Sequence, residues 1–319
     1  MVETESRKGR GFAALVARWW LFIPMAVVLP ALYQVGYADS GPYANAWRFW
    51  TADFNPLPWL GALAVMAVYL RAYDERRARQ GDEGAWSRWR VGSFLAGVLV
   101  ALVLWESPIN VLVRESMTLY TVKLMGEFEV AAPLIVWGIP FGLIDGERLS
   151  GWVWRVVRFL HRPAVTGLAL AVILVLWDMS DQMALGLRNA LVFLVLPGVY
   201  LGLGVLVWMQ SLQVFPSWPN LHSHLKKAVY VWAMELAMMA MGAIWFWSGM
   251  RMMDPASAGR VLWGLTRVGD EHIAGAVMTG LSLPTMCLVT WHFWQWIGGI
   301  IGESESQEYE GVGVSRQET

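Results

Sequence analysis

Lys123, Glu127 and Glu129 lie inside an otherwise apolar run from Met117 to Leu143, closed by Pro133, Gly138 and Pro140. Ionisable groups at membrane depth cost about 2.5–3.5 kcal/mol each on insertion scales, so these three should face protein, water or a ligand rather than lipid. Lys123 and Glu127 are four residues apart, which puts them on one helical face where they can neutralise each other. The same groups could instead line a ligand site. A second set of titratable types, Glu235 and His292, falls in two later apolar runs. An imidazole and a carboxylate at membrane depth suit a hydrogen-bonded pair or a step in a proton path.

A third set has the character of metal ligands. Asp178, Met179, Asp181 and Met183 follow one apolar run, and Asp270, Glu271 and His272 precede another. Thioethers select Cu(I), whereas carboxylates prefer harder ions or Cu(II). Acids at the start of a helix also suit its dipole, so Asp270 and Glu271 have a purely structural reading too. Met234, Met238, Met239 and Met241, with Met250, Met252 and Met253 beyond them, are dense enough to suggest copper or a flexible core filler.

Other chemistries find no support. There is no His-Glu-x-x-His, no phosphate-binding or dinucleotide glycine pattern, and no nucleophile with a base near it in sequence. The expectation is a protein that is not an enzyme. The single cysteine, Cys287, rules out an intramolecular disulfide and Cys-x-x-Cys chemistry. Net charge is −1 with no basic run interleaved with aromatics, which sets nucleic acid aside.

The elements that must position these groups are membrane spans. The chain is 56% hydrophobic and 15% charged with 21 Trp, outside the range of soluble domains. Apolar runs follow one another from Phe12, Leu57, Val91, Met117, Pro163, Leu191, Ala228 and His272, giving an all-α, polytopic transmembrane bundle of about eight helices, or seven if the first is a cleaved signal. Residues 1–11 form a polar tail, 12–34 a signal anchor, and 50–301 the main transmembrane unit. The acidic segment 302–319 has no hydrophobic pattern and is expected to be disordered. Arginines and lysines concentrate in Arg71–Arg90, Arg148–Arg162 and Lys226–Lys227, which places both chain ends in the cytoplasm by the positive-inside rule. Glycines in 198–204 and at Gly298 and Gly299 read as sites of close helix packing.

Six segments taken in order carry a family resemblance. They are Trp86-Ser-Arg-Trp-Arg90 leading into Ser93-Phe-Leu-Ala-Gly97, Glu106-Ser-Pro-Ile-Asn110, Ala132-Pro-Leu-Ile-Val-Trp-Gly138 with Pro140, His161-Arg-Pro163, the series Leu176-Trp177, Leu187-Arg-Asn189 and Val207-Trp208, and Asp270-Glu-His-Ile-Ala-Gly275. From about Trp50 to Ile301 the chain resembles the bacterial CtaG family of cytochrome c oxidase assembly factors, multi-pass membrane proteins linked to copper supply. The resemblance implies a multi-pass protein of the bacterial inner membrane whose partners are subunits of a haem-copper oxidase or a related copper membrane enzyme. It also marks a departure. Where the family usually has His-Met-x-x-His on its central helix, this chain has Tyr120, Thr121 and Leu124; a family histidine is replaced by Asp178, and His-x-x-Glu-His reads Phe193, Leu196 and Pro197.

Copper delivery is therefore expected to be lost, or moved to Asp178, Met179, Asp181, Met183, Glu271 and His272. Two other readings stay open. A proton-coupled transporter would use Lys123, Glu127, Glu129, Glu235 and His292, and a structural accessory subunit of a membrane complex would use the Trp- and Gly-rich helix surfaces.

Overall fold

The computed structural model describes residues 55–84, 87–107, 109–113, 116–140, 151–177, 189–212, 221, 223–248 and 262–315. The N-terminal tail and first apolar run, Asp178 to Met183, and Met250 to Met253 lie outside them. Among the described residues all regular structure is helical. The helices are α1 (Pro56–Gly84), α2 (Arg88–Trp105), the short α3 (Ile109–Val113), α4 (Met117–Met125), a π-helical segment (Gly126–Ala131), α5 (Ala132–Gly138), α6 (Gly151–Leu160), α7 (Pro163–Trp177), α8 (Ala190–Leu212), α9 (His224–Ser248), α10 (Arg267–Leu281) and α11 (Leu283–Ser315).

Among the described residues four helices are long and apolar enough to cross a membrane, or five if α6 and α7, bent by 72° at their junction, count as one. Two expected spans miss that measure for local reasons. The apolar part of α1 is short and runs without a break into its arginine-rich half. The central rod from Met117 to Gly138 is split by its π-helical turn.

Three boundaries differ from the sequence reading. The last span starts at Arg267 rather than His272 and breaks at Ser282, two residues before Pro284, whose missing N–H cannot continue the ladder. The acidic tail continues α11 as far as Ser315 instead of losing structure after Ile301. Glutamate and glutamine are good helix formers, and extending an existing helix avoids the nucleation cost that an isolated tail would face. Gly298 and Gly299 have no described atom within 4 Å of a notional Cβ, so among the described residues they make no close helix contact.

The central rod organises the core. Its first half, with Met117, Tyr120, Leu124 and Phe128, packs against Leu170 and Leu174 of α7, Leu196 and Tyr200 of α8, Met238 of α9 and Met278 of α10. Its second half, with Ala132, Val136 and then Ile139, joins Tyr69 of α1, Phe94 of α2 and Trp208 of α8. Close approach is real at Gly97 and Gly138: a Cβ at Gly138 would lie 2.6 Å from the backbone nitrogen of Phe94.

The π-helical turn has a specific consequence. Ala132 N–H bonds the carbonyl of Glu127, five residues back, so the next bond in that register would run from residue 133 to Phe128. Residue 133 is proline and has no N–H. The indole N–H of Trp208 donates to the Phe128 carbonyl instead, at 3.0 Å. Trp208→Phe should leave that buried carbonyl unsatisfied and lower stability by about 1–3 kcal/mol. Thermal unfolding in detergent checks this, with the exposed Trp294→Phe as a control that should leave the midpoint unchanged.

Candidate functional site

Both ends of the central rod are held by charges from other helices. A helix end leaves backbone groups without intrahelical partners, and none can be left bare inside a membrane protein. At the first end, Asp270 accepts from Ser116 Oγ at 2.8 Å, Met117 N at 2.5 Å and Thr118 N at 3.3 Å, while Thr118 Oγ1 donates to the Asp270 carbonyl at 3.0 Å. Asp270 sits in the first turn of α10, where the N-cap Thr266 already accepts from Gly269. One carboxylate therefore lies near two positive helix ends. At the far end Arg90 donates to the carbonyls of Trp137 and Ile139, at 3.5 and 3.3 Å, and Ser93 Oγ donates to Leu134 at 2.8 Å.

The intramembrane charges form separate closed groups. Lys123 and Glu127 are both buried and attract each other, and Lys123 Nζ also lies 4.2 Å from the ring centroid of Phe193. Glu129 and Glu235, both buried, lie close enough to interact directly. Thr285 Oγ1 donates to Glu129 Oε2 at 2.6 Å, and Ser282, whose hydroxyl donates to the Met278 carbonyl at 3.2 Å, lies beside Glu235.

His292 does not meet Glu235, its expected partner. Its Nε2 donates to the Ser211 carbonyl at 3.2 Å, which leaves Nδ1 of the neutral ring to accept from His224 Nδ1 at 3.1 Å. The reason is one of depth and face. Glu235 is turned towards the break between α10 and α11, whereas His292 meets the start of α9 and the end of α8. Of the residues in these groups, Ser116, Thr118, Ser211, Ser282 and Thr285 carried no signal in the sequence beyond being small and hydroxylated.

Of the six expected metal ligands, Asp178, Met179, Asp181 and Met183 lie outside the described residues. Glu271 is buried, and His272 is half-buried with its ring 5.6 Å from that of Phe246. No three His, Cys, Asp or Glu side chains among the described residues come together as a metal site.

Several of the positions at which the family resemblance implies His-Met-x-x-His and His-x-x-Glu-His do converge. Tyr120, Leu124 and Leu196 belong to one buried cluster and Phe193 packs against it. The space left beside them is about 10 Å³, lined by Tyr120, Thr121, Leu124, Met125, Tyr200, Trp245 and Met278. Thr121 Oγ1 is already committed to the Met117 carbonyl at 3.0 Å. With no imidazole or carboxylate on its walls and room for about one water, this pocket does not fit an imidazole-held copper ion.

Two substitutions test the polar framework. Lys123→Met should lower stability by removing the cation that attracts buried Glu127, and adding Glu127→Gln should recover most of that loss. Asp270→Ala removes the cap of the central rod, and loss of its charged hydrogen bonds should cost about 1.5–3 kcal/mol. Unfolding midpoints of the purified variants read both effects.

Searches for related curated proteins and for related solved structures find no match. The model of the cytochrome c oxidase caa3 assembly factor family, Caa3_CtaG, matches residues 67–298, from within α1 to within α11. With the framework of helices matched over most of its length, the chain belongs to the caa3-type cytochrome c oxidase assembly factor family.

Proposed function

We propose that this protein is a non-catalytic, membrane-embedded assembly factor for a haem-copper oxidase, and that it works without copper at the central-helix site. The observation that carries the reading is the filled pocket: Tyr120, Thr121 and Leu124 face Tyr200, Trp245 and Met278 across a space of about 10 Å³. Aromatic and thioether packing there stabilises the bundle through buried area. The helices that the family model matches stay in place around it. The assembly role then rests on contacts with oxidase subunits within the bilayer. Both ends of the chain lie in the cytoplasm in this reading, following the concentration of arginine in α1 and α6.

A transporter gains less support. A cavity of about 690 Å³ between α1, α2 and α8 is lined by Leu57, Val65, Val98, Leu102, Ile135 and Leu194 among others, and by none of the intramembrane charges.

The test pairs metal analysis with complementation. Purified protein loaded with copper should hold no more than a metal-free control. A strain lacking the gene should lose assembled oxidase from its membranes, and regain it with a variant in which Asp178, Met179, Asp181, Met183 and His272 are all alanine. Stoichiometric copper in the wild-type protein, together with failure of that variant, would establish a rebuilt metal site instead.

A further inference from the structure

The helix α6 is built unlike the spans around it. Trp154 and Val157 pack against the core formed by α1, α2, α5 and α8. On the other side Trp152, Val156, Phe159 and Leu160 are left uncovered, Trp152 at 67% and Phe159 at 53% exposure. At 100° per residue these four fall within one stripe on the helix surface. Arg155 and Arg158 border it on one flank, and Arg162 follows just after the helix. Between Gly151 and Pro163 there are three arginines and no carboxylate.

The setting of the helix decides what this surface meets. The 72° bend at His161–Arg162 turns α6 across the axis of α7, so a membrane-spanning α7 leaves α6 lying close to the membrane plane. The bend is tied down internally. Gln210 Nε2 donates to the His161 carbonyl, and Thr166 Oγ1 donates to the Leu160 carbonyl at 2.5 Å. The uncovered stripe is continuous in character with the apolar outer face of α7, where Leu168, Val172 and Val175 are exposed.

The arginines are placed for phosphate. Arg155 uses its Nε on the Gly151 carbonyl at 3.1 Å, which directs its terminal nitrogens away from the helix. Arg162 lies over the Phe159 ring at 5.7 Å, joining the charged and apolar parts of the surface. An aromatic and aliphatic stripe edged by arginine matches an interface of acyl chains and anionic headgroups. A water-soluble partner would leave the stripe's continuity with the lipid-facing side of α7 unused.

We propose that α6 is an interfacial anchor that binds anionic phospholipid, with Arg155, Arg158 and Arg162 on the phosphates and Trp152, Val156, Phe159 and Leu160 at the top of the acyl region. This surface does not depend on the copper question or on the identity of the client enzyme.

The test uses the full chain in detergent. Added phosphatidylglycerol should raise the unfolding midpoint by several degrees, and phosphatidylcholine or inorganic phosphate should not. The variant Arg155→Gln/Arg158→Gln/Arg162→Gln should lose that rise while unfolding normally in detergent alone, because all three side chains are exposed. Depth is read separately with a nitroxide at Val156→Cys in a Cys287→Ser background, reconstituted in vesicles of equal parts phosphatidylglycerol and phosphatidylcholine. Greater accessibility to oxygen than to a water-soluble nickel chelate is the expected result. An equal response to both lipids, a response to inorganic phosphate, retention of the phosphatidylglycerol effect by the triple variant, or a water-exposed label would each overturn the proposal.

Discussion

A helix buried in a membrane bundle must have its end groups met by something other than water, and the central rod from Met117 to Gly138 meets this demand through other helices. Asp270 closes one end and Arg90 the other, each with the sign that the helix dipole favours. The two contacts join segments 153 and 49 residues apart in sequence. Because the rod contributes to both main core clusters, fixing its ends fixes the register of α1, α2, α8 and α10 around it. The Phe128 carbonyl, deprived of a donor by Pro133, is answered in the same way by Trp208.

The same economy governs the charges at membrane depth. Lys123 stays with Glu127, Glu129 with Glu235 and two hydroxyls, and His292 with His224 and a backbone carbonyl. Each group faces protein rather than lipid, which is how ionisable side chains are tolerated where water is scarce. The acid pair sits where two helical irregularities face each other, the π-helical turn on one side and the break at Ser282 on the other. Irregular backbone opens the space that two carboxyl groups and two hydroxyls need.

The family model matches the framework of helices, and aromatic and thioether residues pack closely at its centre. Such packing holds the helices together by buried area, which is non-directional and tolerant of residue exchange. A coordination site is directional and is lost as soon as its donors change.

Composition and periodicity determined that this is a helical membrane protein, where most helices lie, and that Lys123 and Glu127 share a face, because each follows from local hydrophobicity and from the 3.6-residue repeat. The six motifs in order were also enough to identify the family. Sequence read one residue at a time could not pair Asp270 with Ser116, turn Glu235 towards Glu129 instead of His292, or continue α11 through an acidic tail. Those outcomes depend on which helices touch and at what depth. Only tertiary packing sets that, since a buried polar group takes whichever partner the neighbouring backbone brings within about 3 Å.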